Sequence, residues 1–488
     1  MKKGVARVNH PIVQKKVVRS LDLSVKDGAV SSVSSSFSLS YFAPAALALN
    51  ATAVQMGILY AVISLVPSLI QLRAATLIEK CSRKRIVLSG VMGKILIILP
   101  LLFVGFLYWL GVPHMVWALI LFVGLHYACT AVAHPAWFSW MGSLVPERRR
   151  GKYFSRRNRV IGFFGILGMV AGALILDGAK KIGVFYGDVV GFTLLGFGTL
   201  FVLSGMFRFW SWNLLDKTYE PRIKIRKKDC FSFENFWRQC RETPFGKFSL
   251  FAGALAFAVG ISAPFWAVYM LRDLGLSYIW YMVVVVSAVV FQLMFLPLLG
   301  KFSDRFGNVR LMRTSSFFLG IIPFLWIASA LIDSDLGVRI YLSIIPSFVS
   351  GFAWAGYGLA LNNYVYDAVS SRKRGFGLSY MNLIIGVGGF LGAVVGALIA
   401  WADVSFMNPM LFIFMISGFG RLAIAIYGSG FLHEVRNVKK FSSQFWIREF
   451  APAQGILREM HNMGHLAEKV EHYIVPVEKK YASNYVKS

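Results

Sequence analysis

Long apolar segments separated by short polar ones dominate the pattern of this chain. Apolar runs of about 20 residues or more recur from Leu39 to Phe431. A helix of about 20 apolar residues crosses the ~30 Å hydrocarbon core of a bilayer. The pattern therefore predicts an all-α polytopic membrane protein with twelve transmembrane helices.

The predicted spans form two groups of six on either side of a charged, proline-containing segment. We place them at residues 28–49, 54–77, 86–110, 115–144, 160–176, 189–215, 248–271, 277–299, 311–332, 339–366, 376–401 and 405–432. The resulting regions are a basic cytoplasmic tail (1–27), a first bundle (28–215), a cytoplasmic linker (216–247), a second bundle (248–435) and a cytoplasmic tail (436–488).

Two of these regions have local features that change the picture. Seven serines lie between Ser31 and Ser40 in the first span, which indicates a surface that faces other helices or water rather than lipid. Apolar residues at helical spacing over 445–473 predict an amphipathic helix in the C-terminal tail. His461 and His465 are four residues apart there, and a surface role is favoured over a metal pair.

The composition and charge support the membrane interpretation and set the topology. Hydrophobic residues make up 57% of the chain and charged residues 15%, against about 25% charged in soluble domains. The net charge of +28 comes from basic residues in alternate loops and in both tails, so both termini are predicted to be cytoplasmic. The implied partner is anionic lipid and not nucleic acid. The opposite loops hold only Lys180, Lys181, Arg272 and Arg339.

Several chemistries are disfavoured by what the sequence lacks. The four cysteines have no zinc-site spacing, and most lie in predicted cytoplasmic loops, so neither a disulfide framework nor a metal site is expected. No Gly-x-x-x-x-Gly-Lys-Ser/Thr phosphate loop occurs, which argues against a nucleotide-driven pump. We expect no cofactor and no catalytic residues.

An internal repeat relates the two groups of spans. At one constant offset, Arg150-Gly151 and Asn158 match Arg374-Gly375 and Asn382. Four glycines of the fifth span match four of the eleventh in the same register, namely Gly162, Gly165, Gly168 and Gly172 with Gly386, Gly389, Gly392 and Gly396. Ser204 and Arg208 similarly match Ser417 and Arg421. The repeat predicts two six-helix halves in parallel orientation.

A polar segment after the eighth span carries a recognisable pattern. Gly300, Asp304, Arg305, Gly307 and Arg310 form a glycine–x–x–x–aspartate–arginine–x–glycine string followed by a basic residue. This string resembles the loop signature of the major facilitator superfamily. The glycines permit a tight reversal with positive φ, and Asp304 is expected to accept from backbone N–H groups at a nearby helix start.

The resemblance covers residues 28–435 and implies two six-helix bundles that rock around a central cavity. In the first half Glu79 and Arg85 stand at the corresponding positions, but Lys80-Cys81-Ser82 replaces the glycines, so that loop departs from the family pattern. The predicted gate-loop residues are Glu79, Arg85, Arg150, Gly151, Asn158, Gly300, Asp304, Arg305, Gly307, Arg310, Arg374, Gly375 and Asn382.

Charged residues inside spans are costly and are therefore functional candidates. Arg208 and Arg421 are repeat partners, so a shared role at the inner gate, pairing with Glu79, Asp304 or another loop carboxylate, is favoured over substrate contact. Lys94 has no repeat partner and is the stronger candidate for contact with an anion or substrate. No carboxylate is predicted in the middle of a span.

The resemblance implies that spans one, four, seven and ten line the cavity. The candidate cavity residues are Ser40, Tyr41, His126, Thr130, His134, Trp137, Trp266, Tyr269, Trp354, Tyr357, Asn362 and Asn363. His126 and His134 have three open interpretations, namely satisfaction by neighbouring hydroxyls, proton coupling and substrate binding. For the glycine ladders, static packing and sliding between the halves both remain open.

These observations predict a secondary active or facilitative transporter, not an enzyme. It would move a small organic solute across the cytoplasmic membrane by alternating access, with or without a coupling proton, and act as a monomer. The alternatives are an exporter of amphipathic compounds or, from different classes, a lipid scramblase or an integral-membrane transferase.

Overall fold

The computed structural model describes residues 11–145, 150–221, 233–369, 374–402 and 407–438. The predicted helix at 445–473, with His461 and His465, lies outside these residues. The described α-helices are α1 Pro11–Ser38, α2 Phe42–Ala48, α3 Ala53–Lys80, α4 Arg83–Trp109, α5 Met115–Leu144, α6 Arg150–Tyr186, α7 Val189–Asp216, α8 Phe233–Arg238, α9 Pro244–Ser262, α10 Phe265–Val268, α11 Tyr278–Phe306, α12 Asn308–Ala328, α13 Asp335–Ala368, α14 Arg374–Trp401 and α15 Pro409–Tyr427.

Eleven helical segments of the described chain are long and apolar enough to cross a membrane. The remaining crossing, α1 with α2, does not meet that measure, because α1 ends at Ser38 and the segment before that residue holds Asp22, Lys26 and Asp27 besides its serines. Those serines face other helices: Ser32 Oγ donates to the carbonyl of Ile161 at 2.7 Å, and Ser36 Oγ to that of Gly165 at 2.8 Å. Ser34 Oγ donates to Ser204 O at 2.8 Å. The prediction of a helix-facing serine surface holds for these three residues.

The two halves repeat one set of helix contacts. In the first, α1 packs on α6 and α7, α4 packs on α5 and α7, and α3 packs on α5. In the second, α9 packs on α14 and α15, α12 packs on α13 and α15, and α11 packs on α13. The predicted fold of two pseudo-symmetric six-helix bundles is confirmed.

The halves meet along two seams, α3 with α14 and α6 with α11, which the pseudo-twofold exchanges. Polar contacts cross the first seam: Ser64 Oγ donates to Gly386 O at 3.1 Å, and Asn382 Nδ2 donates to Gln71 Oε1 at 3.0 Å. The interface between the halves is therefore partly hydrogen-bonded.

Glycines of α14 allow close contact with neighbouring helices on both of its faces. A Cβ at Gly392 would lie 2.0 Å from the carbonyl oxygen of Phe257 in α9, within the same half. At Gly389, by contrast, it would meet Ser64 Oγ of α3 at 2.3 Å, across the seam. The Gly392 side is packing within a bundle, whereas the Gly389 side lies at the interface that relative motion of the halves would change.

Two predicted boundaries differ from the structure. Helix α11 continues through Phe306, so Gly300 is helical and only Gly307, at φ 93°, separates α11 from α12. The polar residues between Gly300 and Gly307 continue the helix because none of them is proline or glycine. Helix α1 begins at Pro11 and not at Gly28, so the segment assigned to a tail is part of a helix that packs on α6.

The close approach of α9 and α14 gives a direct test of packing. Gly392→Ala should destabilise the protein by about 1–3 kcal/mol because the new methyl group collides with backbone. Gly198 in α7 is the matched control, since a Cβ there meets no described atom within 4 Å and alanine favours helix. Thermal unfolding in detergent should show a lower Tm for Gly392→Ala and an unchanged or higher Tm for Gly198→Ala. Equal Tm values would contradict the packing.

Candidate substrate cavity and interhelical contacts

Two ends of the bundle serve as references. The basic end is where α3 meets α4 (81–82) and α11 meets α12 (307), and the far end is where α2 meets α3 (49–52) and where α11 begins after 274–277. A cavity of about 250 Å³, the N-bundle cavity, lies among α1, α4, α5, α6 and α7. It is lined by Asp27, Ser31, Val87, Val91, Lys94, Thr130, Ala133, His134, Trp137, Arg157, Ile161, Arg208 and Leu215.

A buried carboxylate lies at this cavity. Asp27 is 4% exposed and accepts a hydrogen bond from Ser211 Oγ at 2.6 Å. Its other oxygen is 3.8 Å from Arg157 Nη2, and Arg157 Nε donates to Ser24 O at 3.1 Å. The carboxylate is thus held between α1, α6 and α7.

Sequence analysis missed Asp27 because it placed this residue in the tail. A usable signal was present: Ser20, Ser24, Asp27, Ser31 and Ser34 recur at helical spacing across the assumed boundary. Such a polar stripe indicates one continuous helix face.

Two cations that line the cavity have donors to spare. Arg208 Nη1 donates to Ser211 Oγ at 3.3 Å, while its buried Nε has no partner in the described part of the chain. Lys94 is 6% exposed and makes no hydrogen bond or ion pair within the described residues. The expectation that Lys94 faces a ligand stays a prediction, and its place on the cavity wall is consistent with it.

The α5 side of the cavity combines an aromatic ring with polar groups. The Arg157 guanidinium carbon lies 4.4 Å from the centroid of the Trp137 ring, a cation–π contact. His134 is exposed and Thr130 half-buried. Thr130 Oγ1 donates to the carbonyl of His126 at 3.0 Å. Asp27 and Lys94 are buried, so the wall of the cavity carries charged groups that are shielded from solvent.

His126 has surroundings different from those of His134. It is 2% exposed, and neither ring nitrogen has a hydrogen-bond partner in the described residues. Its ring makes an edge contact with Phe42 at 5.5 Å. Satisfaction by neighbouring hydroxyls, one interpretation from the sequence, is therefore not seen here.

Other candidate cavity residues lie in the cores of the bundles. Tyr41 is fully buried and its hydroxyl donates to Met169 O at 2.6 Å. Trp266 stacks on Phe414 with ring centroids 4.0 Å apart, and Tyr269 Oη is 2.9 Å from Ser329 Oγ. These three side chains hold neighbouring helices together.

The remaining cavity candidates are spread along α13 and at the end of α1. Tyr357 is 8% exposed and Trp354 37% exposed, with their rings in edge contact at 5.7 Å. Asn362 is exposed, and Asn363 Nδ2 donates to Ser303 Oγ at 3.3 Å, beside the signature segment. Ser40 is half-buried in the 3₁₀ turn that joins α1 to α2.

The signature segment is held by a carboxylate that sequence analysis missed. Glu434 Oε2 accepts from the backbone N–H of Val309, at the start of α12, at 2.9 Å. Asp304, the residue expected at a helix start, is exposed. Position explains why Glu434 and not Asp304 caps α12. Asp304 lies on α11, whereas the chain after α15 brings Glu434 to the start of α12.

The first half uses an equivalent residue. Glu220, just after α7, accepts from the backbone N–H of Arg83 at 2.9 Å, at the start of α4. Its other oxygen accepts from Ser82 Oγ at 2.5 Å. In both halves, then, a glutamate that follows the last helix caps the third. Negative charge at a helix N-terminus is stabilising.

Arg421 differs from its repeat partner Arg208. It is 2% exposed and donates to Ser262 Oγ at 2.6 Å and to Leu319 O at 3.1 Å. Among the described residues, none of its hydrogen bonds goes to a carboxylate. The expected pairing with a loop carboxylate is not seen, because α9 and α12 provide the acceptors.

The other gate candidates are at the basic ends of the helices. Arg85 and Asn158 are exposed, and the Arg305 guanidinium lies 5.5 Å from the Phe306 ring centroid. Arg310 is half-buried on α12. The side chains of five candidates are outside the described part of the structure, namely Glu79, Arg150, Gly151, Arg374 and Gly375.

Contacts at the far end join the two halves. Asp177 of α6 is 8% exposed and accepts from the backbone N–H groups of Tyr278 at 3.0 Å and Ile279 at 3.1 Å, at the start of α11. Arg272 Nη2 donates to Ala51 O at 2.8 Å. These bonds close the far end between the halves, whereas the N-bundle cavity lies toward the basic end.

Comparisons with known proteins agree with this architecture. The family model described as Major Facilitator Superfamily matches residues 28–393 and 248–459. The xylose transporter XylE from E. coli, in a partially occluded inward open conformation, is similar with a TM-score of 0.62 at 12% identity, covering 87% of this chain and 100% of that one.

Two further solved structures have the same fold. A bacterial homologue of the iron transporter ferroportin in an inward-facing state gives a TM-score of 0.62 at 14% identity, over 86% of this chain and 99% of that one. The nucleoside transporter NupG gives 0.57 at 12% identity, over 85% and 98%. A comparison with curated protein sequences returned no match.

The capping glutamate can be tested against the signature aspartate. Glu434→Ala should lower stability by about 1 kcal/mol because the N-terminus of α12 loses its acceptor. Asp304→Ala is the matched control and should change stability by less than about 0.5 kcal/mol, as is usual for exposed positions. Thermal unfolding of both variants provides the measurement. A larger loss in Asp304→Ala than in Glu434→Ala would show that the wrong carboxylate has been assigned.

Proposed function

The chain belongs to the major facilitator superfamily, and from that premise we propose that it is a secondary carrier that moves a small organic solute by alternating access. Family membership makes it a multi-pass membrane transporter rather than an enzyme. The mechanism, the solute and the direction of transport are the proposal. In this mechanism, two bundles rock about a site that opens to each side in turn, without nucleotide hydrolysis.

The observation that carries this proposal is a set of hydrogen bonds that joins the two halves at the far end. Asp177 caps α11 across the interface there, and Arg272 reaches Ala51 in the other half. A carrier whose far side is closed would have these bonds, and opening that side would require them to break. Toward the basic end, the first bundle holds a charged cavity.

Charge supports an orientation for the two ends. Basic residues are concentrated in the loops of the basic end, so we place that end and both termini in the cytoplasm of a cell whose plasma membrane holds the protein. The far end, where these hydrogen bonds join the halves, would then face the outside. Anionic lipid headgroups around the basic loops would hold this orientation, and a monomer contains both bundles that the mechanism needs.

The cavity also bears on what kind of solute is carried. Charged groups in its lining favour a polar or charged solute over the amphipathic compounds of an exporter. The similar structures are named as xylose, iron and nucleoside transporters, and with identities this low the fold alone is shared. The chemistry of the cavity is therefore the better guide to the solute.

Reconstitution into proteoliposomes tests the proposal. We expect saturable, temperature-dependent uptake of at least one solute from a radiolabelled panel of sugars, nucleosides, carboxylates and phosphate esters, with no nucleotide present. Protein-free liposomes are the control. Repeating the assay with and without a pH gradient determines whether a proton is coupled.

A parallel arm addresses the other classes of protein. The same vesicles, loaded with a fluorescent lipid and treated with a membrane-impermeant quencher, report lipid scrambling. Lipid movement with no uptake of any solute in the panel would contradict the carrier proposal.

A further inference from the structure

We propose that the N-bundle cavity is an anion-binding site that takes the carboxylate or phosphate group of a small organic ligand. The proposal rests on the carrier function only in identifying that ligand with the transported solute. Its groups are Lys94 and Arg208, with Arg157 and Asp27 as their fixed neighbours.

The residues that line the cavity carry more positive than negative charge. Three cations, Lys94, Arg157 and Arg208, line the cavity beside one carboxylate, Asp27. Asp27 is already engaged by Ser211 and Arg157, and its charge also acts on Arg208. In the described residues, no other carboxylate lines the cavity, so the cations exceed the anions.

Lys94 and Arg208 both lie deep within their helices, far from the helix ends at the basic end. Lys94 lies eleven residues beyond the start of α4 at Arg83, which is about 16 Å at 1.5 Å per residue. Arg208 lies eight residues before the end of α7 at Asp216, about 12 Å by the same rise. Uncompensated charge at such depth is costly, and such residues mark ligand pathways. A bound anion would compensate it.

The cations of the cavity differ in how many of their hydrogen-bond donors are already in use. Arg157 is already committed to Asp27, to Ser24 O and to the Trp137 ring. Lys94 is nine-tenths buried and has no hydrogen bond or ion pair within the described residues, and the buried Nε of Arg208 likewise has none there. Lys94 and Arg208 are therefore the donors with capacity for a ligand.

Size and lining define the class of ligand. A volume of about 250 Å³ is below the ~300–1,000 Å³ of pockets for drug-sized molecules, so the ligand is small. Val87, Val91 and the Trp137 ring provide apolar walls, and His134 lies on the α5 side of the cavity. This combination fits a small organic anion, and a lipid headgroup would present the same charged group.

Binding to the full-length protein in phosphatidylcholine nanodiscs is the test, with succinate and inorganic phosphate as soluble probes. Calorimetric titration should detect binding of at least one probe to the wild type. Lys94→Gln should weaken it about tenfold or more, since hydrogen bonds to charged groups are the strong ones. Lys94→Arg should retain it. Lys181→Gln is the matched control, because it removes one exposed charge at the far end.

A second pair of measurements separates binding from folding. Without ligand, Lys94→Gln should be at least as stable as the wild type, because a buried cation without a partner is removed. Asp27→Asn should bind the probes more tightly, because the competing carboxylate is neutralised. A purely structural network predicts the opposite, namely a less stable Lys94→Gln protein and no tighter binding in Asp27→Asn.

The source of the anion is distinguished by changing the lipid. Phosphatidylglycerol in the nanodiscs could suppress probe binding to the wild type, or could itself bind where neither probe does. If either effect is seen and is lost in Lys94→Gln, the ligand is a lipid headgroup. Probe binding that is insensitive to phosphatidylglycerol indicates a soluble anion. Absence of binding by both probes and by the lipid, or binding unchanged in Lys94→Gln, overturns the proposal. Probe binding without uptake of any solute would contradict the carrier function and leave the anion-binding site standing.

Discussion

Every polar group that this chain buries among its helices needs a partner inside the protein, because lipid hydrocarbon offers none. The serines of α1 satisfy this constraint by donating to carbonyls of α6 and α7. Glu220 and Glu434 satisfy it at two helix starts, and Asp177 does so between the halves. The helix packing, the contacts of the basic end and the closed far end all follow from that requirement.

Some buried polar groups of the described residues lack such a partner, among them both ring nitrogens of His126 and Nε of Arg208. The duplicated halves share a framework but differ in charge: Arg421 donates to carbonyl and hydroxyl oxygens, whereas Arg208 and Lys94 line a cavity. One half thus uses its buried arginine to hold helices together. In the other half, the proposed ligand would accept from the donors that Arg208 and Lys94 have to spare.

Sequence alone predicted the architecture well. The length of an apolar run is a local signal, and the internal repeat is visible in residue identities without any knowledge of tertiary packing. It missed Asp27, since a basic tail seemed to end beside it, and it missed Glu220 and Glu434, since their partners are more than a hundred residues away. Tyr41 and Trp266 were expected in the cavity but pack within the bundles. Which face of a helix meets a neighbour depends on tertiary packing, which residue type and spacing do not determine.

Paired distance measurements on Asp177→Ala test whether the two halves of this protein rock between alternative conformations. Spin labels at Lys181 and Leu336 report the far end, and labels at Arg85 and Lys301 report the basic end. Loss of the Asp177 cap, about 1 kcal/mol, should shift molecules to a longer far-end and a shorter basic-end distance. Asp188→Ala, which removes a cap within one half, should shift neither. Distances that stay fixed, or that lengthen at both ends together, would contradict alternating access in this protein.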